Sequence, residues 1–251
     1  MVKKNTVHLS MQKRFTILLI AFGFLMNSQN NFNYKTDFKT ILAKTKDAND
    51  KLYYDKLLPR FKKNDSTLTN AEVLALLIGF TAKPEYKPYE DMKEENAIYN
   101  LNAEGKYYDA LQKANEFLIT HPLSIKAIYE KSFSQYKAQH IDSAKFYVKQ
   151  GQRIFKAMAY SGNGKTKQTP MFALGPADGQ DYIYKYIDGG IGSKSAGQDE
   201  DRNALEILEL NLKVGEPYSL FFITQHAVEK MSLEIESAVE KEKREKRESE
   251  K

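Results

Sequence analysis

The sequence predicts an α+β fold, with stacked helical hairpins followed by a small antiparallel β-sheet. Three observations predict it. Apolar residues recur at three- and four-residue spacing from Tyr34 to about Phe155, as in helices that bury one face. Two central stretches, "EGKYYDALQKANEFLITHP" and "AQHIDSAKFYVKQGQRIFK", align at a constant offset of 34 residues. Beyond Tyr160 the pattern turns to Gly- and Pro-rich turns and to alternating apolar and polar residues, which is the strand signature.

Residues 1–29 read as an export signal. The basic flank "MQKR" precedes the apolar run "FTILLIAFGFLMN" at residues 15–27, and a polar exit follows. That run is short of the roughly 20 residues a membrane span needs. Cleavage is expected near Ser28 and Gln29, with Met11 as an alternative start and an uncleaved anchor as the alternative fate. The expected mature protein is exported, to the periplasm or the outer surface, with no membrane span of its own. Cys is absent from all 251 residues, which excludes disulfides, thiolate metal sites, a Cys nucleophile and a lipid-anchored lipoprotein. Of the formal net charge of +5, Lys3, Lys4, Lys13 and Arg14 supply four, so +1 remains beyond the signal. A nearly neutral chain has no global claim on phosphate backbones, and no nucleic-acid partner is expected.

Residues 30–160 form the helical region. Residues 34–62 read as one or two helices, capped or kinked by Pro59. Thr69 with Glu72 makes a capping box for a buried helix through Val73–Phe80 that ends before Pro84. "PEYKPYED" reads as a turn-rich connection. At the offset of 34, Tyr107 pairs with Ile141, Ala110 with Ala144, Ala114 with Val148 and Phe117 with Gly151. Gly105, Tyr107, Ala110 and Pro122 fall at the spacing of the tight turn, packing residues and terminal proline of the tetratricopeptide repeat, which the first copy resembles. The second copy departs from it, with Gln139 at the turn glycine and Lys156 at the proline. Generic helical hairpins are the alternative. The resemblance implies a concave groove lined by the first helix of each pair, and places Tyr99, Asn102, Lys126, Tyr129, Phe133 and Tyr136 in it. Tyrosines beside a lysine suit a peptide or a glycan, since aromatic rings bury much area at small entropic cost. In the competing arrangement the C-terminal sheet docks there and the tyrosines are core.

Residues 161–226 form a small β-containing region packed on the helices. "QDYIYKYID" reads as a short helix, with a strand as the alternative, and "DGGIGSKSAGQDED" as a loop of roughly fifteen residues. "LEILELNLKV" alternates as a half-buried strand, "GEP" turns the chain, and "YSLFFIT" is its antiparallel partner. "MFAL" is a candidate third strand. Residues 227–251 hold eight acidic and seven basic residues around Val228, Met231, Leu233, Ile235 and Val239. They read as a charged tail, helical or disordered.

Candidate chemistry is thin. "AYSGNGKTKQ" fits a relaxed phosphate loop around Lys165, but a helix precedes it and Pro170 prevents one from following. The context is therefore that of a helix end and a turn. His8, His121, His140 and His226 form no helical pair for zinc, and no cofactor or metal is expected. Asp178, Asp181, Asp199 and Asp201 are close in sequence in two loops and carry the alternative function, hydrolysis of an envelope polymer. The stretches "YYDKLLPRFKKND", "LLIGFTAKPEYKPYED", "LNAEGKYYDAL", "FLITHPLSIKAIYEKSFS" and "DSAKFYVKQGQRIFKAM" over residues 50–226 resemble an exported bacterial family known only as a domain of unknown function. The resemblance implies a helical-repeat front half outside the cytoplasm and no particular activity. The expected function is a non-enzymatic interaction module for a protein or peptide.

Overall fold

The computed structural model describes residues 32–249, so the export signal predicted at residues 1–29 lies outside the described residues. The chain is α+β. Helices α1 (Tyr34–Lys46), α2 (Tyr54–Lys62), α3 (Asn70–Phe80), α4 (Pro88–Ala103), α5 (Tyr107–Thr120), α6 (Ile125–Lys137) and α7 (Ile141–Ser161) come first. Strand β1 (Met171–Phe172), the short α8 (Asp178–Tyr182), a single π-helical turn (Ile183–Ile187), β2 (Gly190–Gln198), β3 (Ala204–Asn211), β4 (Tyr218–Ile223) and α9 (Gln225–Ser249) follow.

Helix α3 is the hub of the helical half. Thr69 accepts from the Glu72 amide at 3.2 Å, and the Thr69 amide donates to the Glu72 carboxylate at 2.8 Å, closing the predicted capping box. Every residue from Val73 to Phe80 is buried, as a helix apolar on all sides requires. Its neighbours are α1, α2 and α7. Of the two roles expected of Pro59, capping is the one it does not fill, since it sits inside α2. One local expectation is corrected. "PYED" opens α4 instead of continuing the turn, because Pro88 occupies the first helical position, where its missing N–H costs no hydrogen bond.

Consecutive helices from α4 to α7 pack on one another, and α4 also meets α6. The 34-residue spacing recurs in the backbone hydrogen bonds of the two connecting turns. Glu104 N donates to Asn100 O, Gly105 N to Asn102 O and Lys106 N to Leu101 O at 2.9–3.1 Å. Ala138 N to Ser134 O, Gln139 N to Tyr136 O and His140 N to Gln135 O repeat the set at 2.9–3.0 Å. Gly105 has φ 77° and Gln139 φ 64°. Gln139, a departure in the sequence, is thus no departure in the turn: it adopts the left-handed conformation that the glycine adopts.

The four strands form one sheet in the order β1-β4-β3-β2. The hairpin β3–β4 is antiparallel as predicted, from Leu205 opposite Ile223 to Leu210 opposite Tyr218. The sheet is mixed, however, not antiparallel throughout, because β1 runs parallel to β4. α8, β2 and β3 intervene between β1 and β4, and a crossover of that length makes a parallel neighbour feasible. The predicted loop at residues 188–201 is largely strand β2. Its Gly- and Ser-rich sequence has no alternation, and pairing with β3 supplies the order. One core unites both halves, holding Phe38 of α1, Leu77 of α3, Ile154 of α7, Phe172 of β1 and Phe222 of β4. The charged tail is helical: α9 rests its first turns against α4 and β3. Between Ser232 and Glu248 every residue except Glu234 is exposed. Among the described residues no helix is long and apolar enough to cross a membrane.

Candidate functional site

Helix α6 carries Lys126, Tyr129, Phe133 and Tyr136 on one stripe, and α4 brings Tyr99 and Asn102. What covers part of that stripe is not the sheet but α8 and the π-helical turn. Lys185 of that turn lies 2.7 Å from Asp181 Oδ1, 4.0 Å from Glu130 Oε1 and 5.4 Å from the Tyr129 ring centre. The cover divides the predicted surface in two. A cavity of about 360 Å³ holds Tyr99 and Lys126, with Asn96, Glu130, Gln180, Asp181, Tyr184 and Lys185 around them. Lys126 is already engaged there, donating to Asn96 Oδ1 at 2.7 Å. The other part, of about 800 Å³, is an open groove between α6 and α7 that keeps Tyr129, Phe133 and Tyr136.

Asn102 is on neither surface. It is buried, and its amide donates to Glu130 O at 3.0 Å and to Glu130 Oε2 at 2.9 Å, while its Oδ1 accepts from Ser134 Oγ at 2.8 Å. It ties α4 to α6, a role that a polar residue inside a helix pair must fill once desolvated.

The groove has two unlike walls. On α6, Tyr129, Phe133 and Tyr136 follow i, i+4, i+7 spacing and so share a face. Tyr129 is fixed by Phe155 at 5.5 Å and by Gly151, where a Cβ would collide with its ring. Burial, with Asp181 nearby, pushes its hydroxyl up to about 12. Phe133 and Tyr136 are 41% and 55% exposed. On α7, Lys145, Lys149 and Lys156 form the facing wall, over a floor that includes Ala144 and Val148. These lysines are not among the groove residues expected from the sequence. Their signal was the spacing i, i+4, i+11 inside "AKFYVKQGQRIFK", which a search for aromatic residues does not detect.

The four loop carboxylates do not converge. Asp178, Asp181 and Asp199 with Asp201 line three different cavities. Asp178 is buried and accepts from the Gly175 amide at 2.9 Å. Burial raises its carboxyl, and the neighbouring Glu95 raises it further. Glu95 itself is pushed up to about 7 by burial, against a hydrogen bond from Ser124 Oγ at 2.6 Å that lowers it. Burial pushes Glu206 to about 7 as well. Asp199 and Asp201 instead shape the β2–β3 turn, Asp199 accepting from the Asp201 and Asn203 amides. Among the described residues no group of three or more His, Asp or Glu is arranged to hold a metal ion.

His121 is a tie between segments rather than a free base. Its Nε2 faces Glu85 O at 2.9 Å and Asp91 Oδ1 at 3.1 Å, and its ring stacks on Phe117 at 4.2 Å. Lys165 sits in a closed turn. Asn163 Oδ1 accepts from its amide, Gly164 N donates to Thr169 O, and Phe221 N donates to Gly164 O. Those amides are spent inside the protein, so they offer no cradle for a phosphate.

Comparison with known families matches the chain over residues 39–222 to one family model, described as a domain of unknown function (DUF4919). No curated protein and no solved structure matches.

Proposed function

We propose that this chain, which belongs to the DUF4919 family, is an exported interaction module that holds an amphipathic protein segment in the groove between α6 and α7. The observation that carries this is the pairing of walls: an aromatic row opposite a lysine row, over an apolar floor, with Phe133 and Tyr136 left exposed. Aromatic side chains in a concave surface supply large contact area, and a charged rim sets orientation. The repeated turn hydrogen bonds support a repeat of the tetratricopeptide kind, with this groove lying between the two helices of one pair rather than along the first helices of successive pairs. Export rests on the basic, apolar and polar succession of residues 1–29.

The groove is tested in cells by a photo-crosslinking residue at Tyr136, with the same residue at Tyr108, 74% exposed and outside the groove, as control. The expected result is a protein adduct at Tyr136 alone, lost when Phe133→Ala is added. Equal yields at both positions, or none at Tyr136, would retire the groove. Export is checked by fusing residues 1–29 to a reporter, which should leave the cytoplasm and be retained there by Leu18→Arg with Leu19→Arg.

A further inference from the structure

We infer that the segment held in the groove is the projecting half of α9 from a second copy of this chain, an inference that rests on the groove reading above. The groove asks for three things at once: a helix, an apolar stripe for the aromatic wall, and acidic residues for the lysine wall. Helix α9 offers all three. Beyond Met231 it leaves the body, yet it keeps Ile235 56% and Val239 42% exposed, one turn apart. A surface helix draws most of its stability from packing such a stripe, and among the described residues nothing covers this one.

The charges match in register. Next to the Ile235 and Val239 stripe lie Glu236 and Glu240, four residues apart. Lys149 and Lys145 of the lysine wall, read backwards, have the same spacing. At about 1.5 Å per residue both pairs span roughly 6 Å. An antiparallel seating therefore sets Glu236 against Lys149 and Glu240 against Lys145, while Ile235 and Val239 turn to Phe133 and Tyr136. Among the described residues, Lys145, Lys149, Lys156, Glu236 and Glu240 form no ion pair within the chain, although Lys230 with Glu234 and Lys241 with Glu245 do on the same helix. Reciprocal exchange closes as a dimer and one-way docking extends into a chain of copies. Either sediments faster than a monomer.

Sedimentation velocity on the purified full chain, across a concentration series at low and high salt, tests this. Wild type should self-associate, and more weakly at high salt. Glu236→Lys with Glu240→Lys, and separately Lys145→Glu with Lys149→Glu, should each weaken association by roughly 10-fold or more, and the four together should restore it. All four positions are exposed, so circular dichroism should report an unchanged fold. A wild type that stays monomeric throughout, or a fourfold variant that does not recover, overturns the second copy as occupant. The two readings separate cleanly: a monomer that still gives a foreign adduct at Tyr136 sinks this inference and spares the groove, whereas a monomer with no adduct sinks both.

Discussion

A carboxyl moved out of water without a full complement of partners holds its proton, and Glu95 shows the consequence for stability. Its folded value of about 7 stands above the ordinary 4.5 because of burial. Between those values the native state keeps a proton that the unfolded chain has released. The contribution is complete below about pH 4.5 and is lost as pH rises through 7. Glu206 acts in the same direction. His226 acts in the other: burial lowers it from 6.5 to about 4, so its contribution is complete above 6.5 and lost as pH falls towards 4. With Glu95, Glu206, Asp178 and His121 all raised against the one lowered imidazole of His226, the protein should be more stable in urea at about pH 5 than at about pH 8. Glu95→Gln should shrink that difference by up to about 1.4 kcal/mol for each pH unit separating the folded and unfolded values. An unchanged difference would mean that Glu95 titrates as it does in water. His226 is wholly buried and lies flat on Phe172 at 4.5 Å, and burial outweighs what the neighbouring Leu174 and Ala173 backbone does for its charged form. His226→Phe should therefore stabilise the protein more at about pH 5 than at about pH 8, by comparison of the same urea midpoints.

At the scale of elements, the repeat makes two mutational demands. Gly105 and Gln139 share a left-handed turn, and only the first carries the residue that adopts it without steric cost. Gln139→Gly should raise unfolding free energy by about 0.5–1 kcal/mol, and Gly105→Ala should lower it by about 1 kcal/mol or more. The opposite order in chemical denaturation would show the two turns to be unrelated. Gly151 permits α6 and α7 to meet because its missing side chain makes room for the Tyr129 ring. Gly151→Ala should then cost about 1–3 kcal/mol through overpacking, with Tyr129→Leu recovering part of the loss. The helices and the β3–β4 hairpin were legible because each repeats its own contacts along the chain, at a period near 3.6 or at 2. β2 was not, because its order comes from pairing with β3 and leaves no trace in a Gly- and Ser-rich segment. The parallel sense of β1 was hidden for the same reason, as two residues carry no direction. The aromatic wall of the groove was visible in the residues, but its division was not: that depends on Lys185, which lies far beyond α6 in the sequence, reaching back to Glu130 and the Tyr129 ring.

For the molecule as a whole, the decisive fact is that the helices and the sheet share one core. Phe172 and Phe222 of the sheet lie in the same cluster as Leu77 of α3 and Ile154 of α7, and Tyr86 donates to Leu174 O at 2.6 Å across the two halves. Neither half has an apolar face that it satisfies alone, since a four-stranded sheet needs something to pack against and α7 would lose its cover. The body should consequently unfold in one cooperative step, with far-ultraviolet dichroism and tyrosine fluorescence giving coincident transitions. Hydrogen exchange should grade the rest. Amides of Val73–Phe80, enclosed on every side, should exchange only through global unfolding, while those of α9 beyond Ser232 should exchange by local fraying in dilute solution. Because the exposed half of α9 is also the segment assigned to the groove, its protection should rise with protein concentration while that of α3 stays constant. Protection in α9 that is independent of concentration would leave that helix a solvated projection, whatever the groove binds.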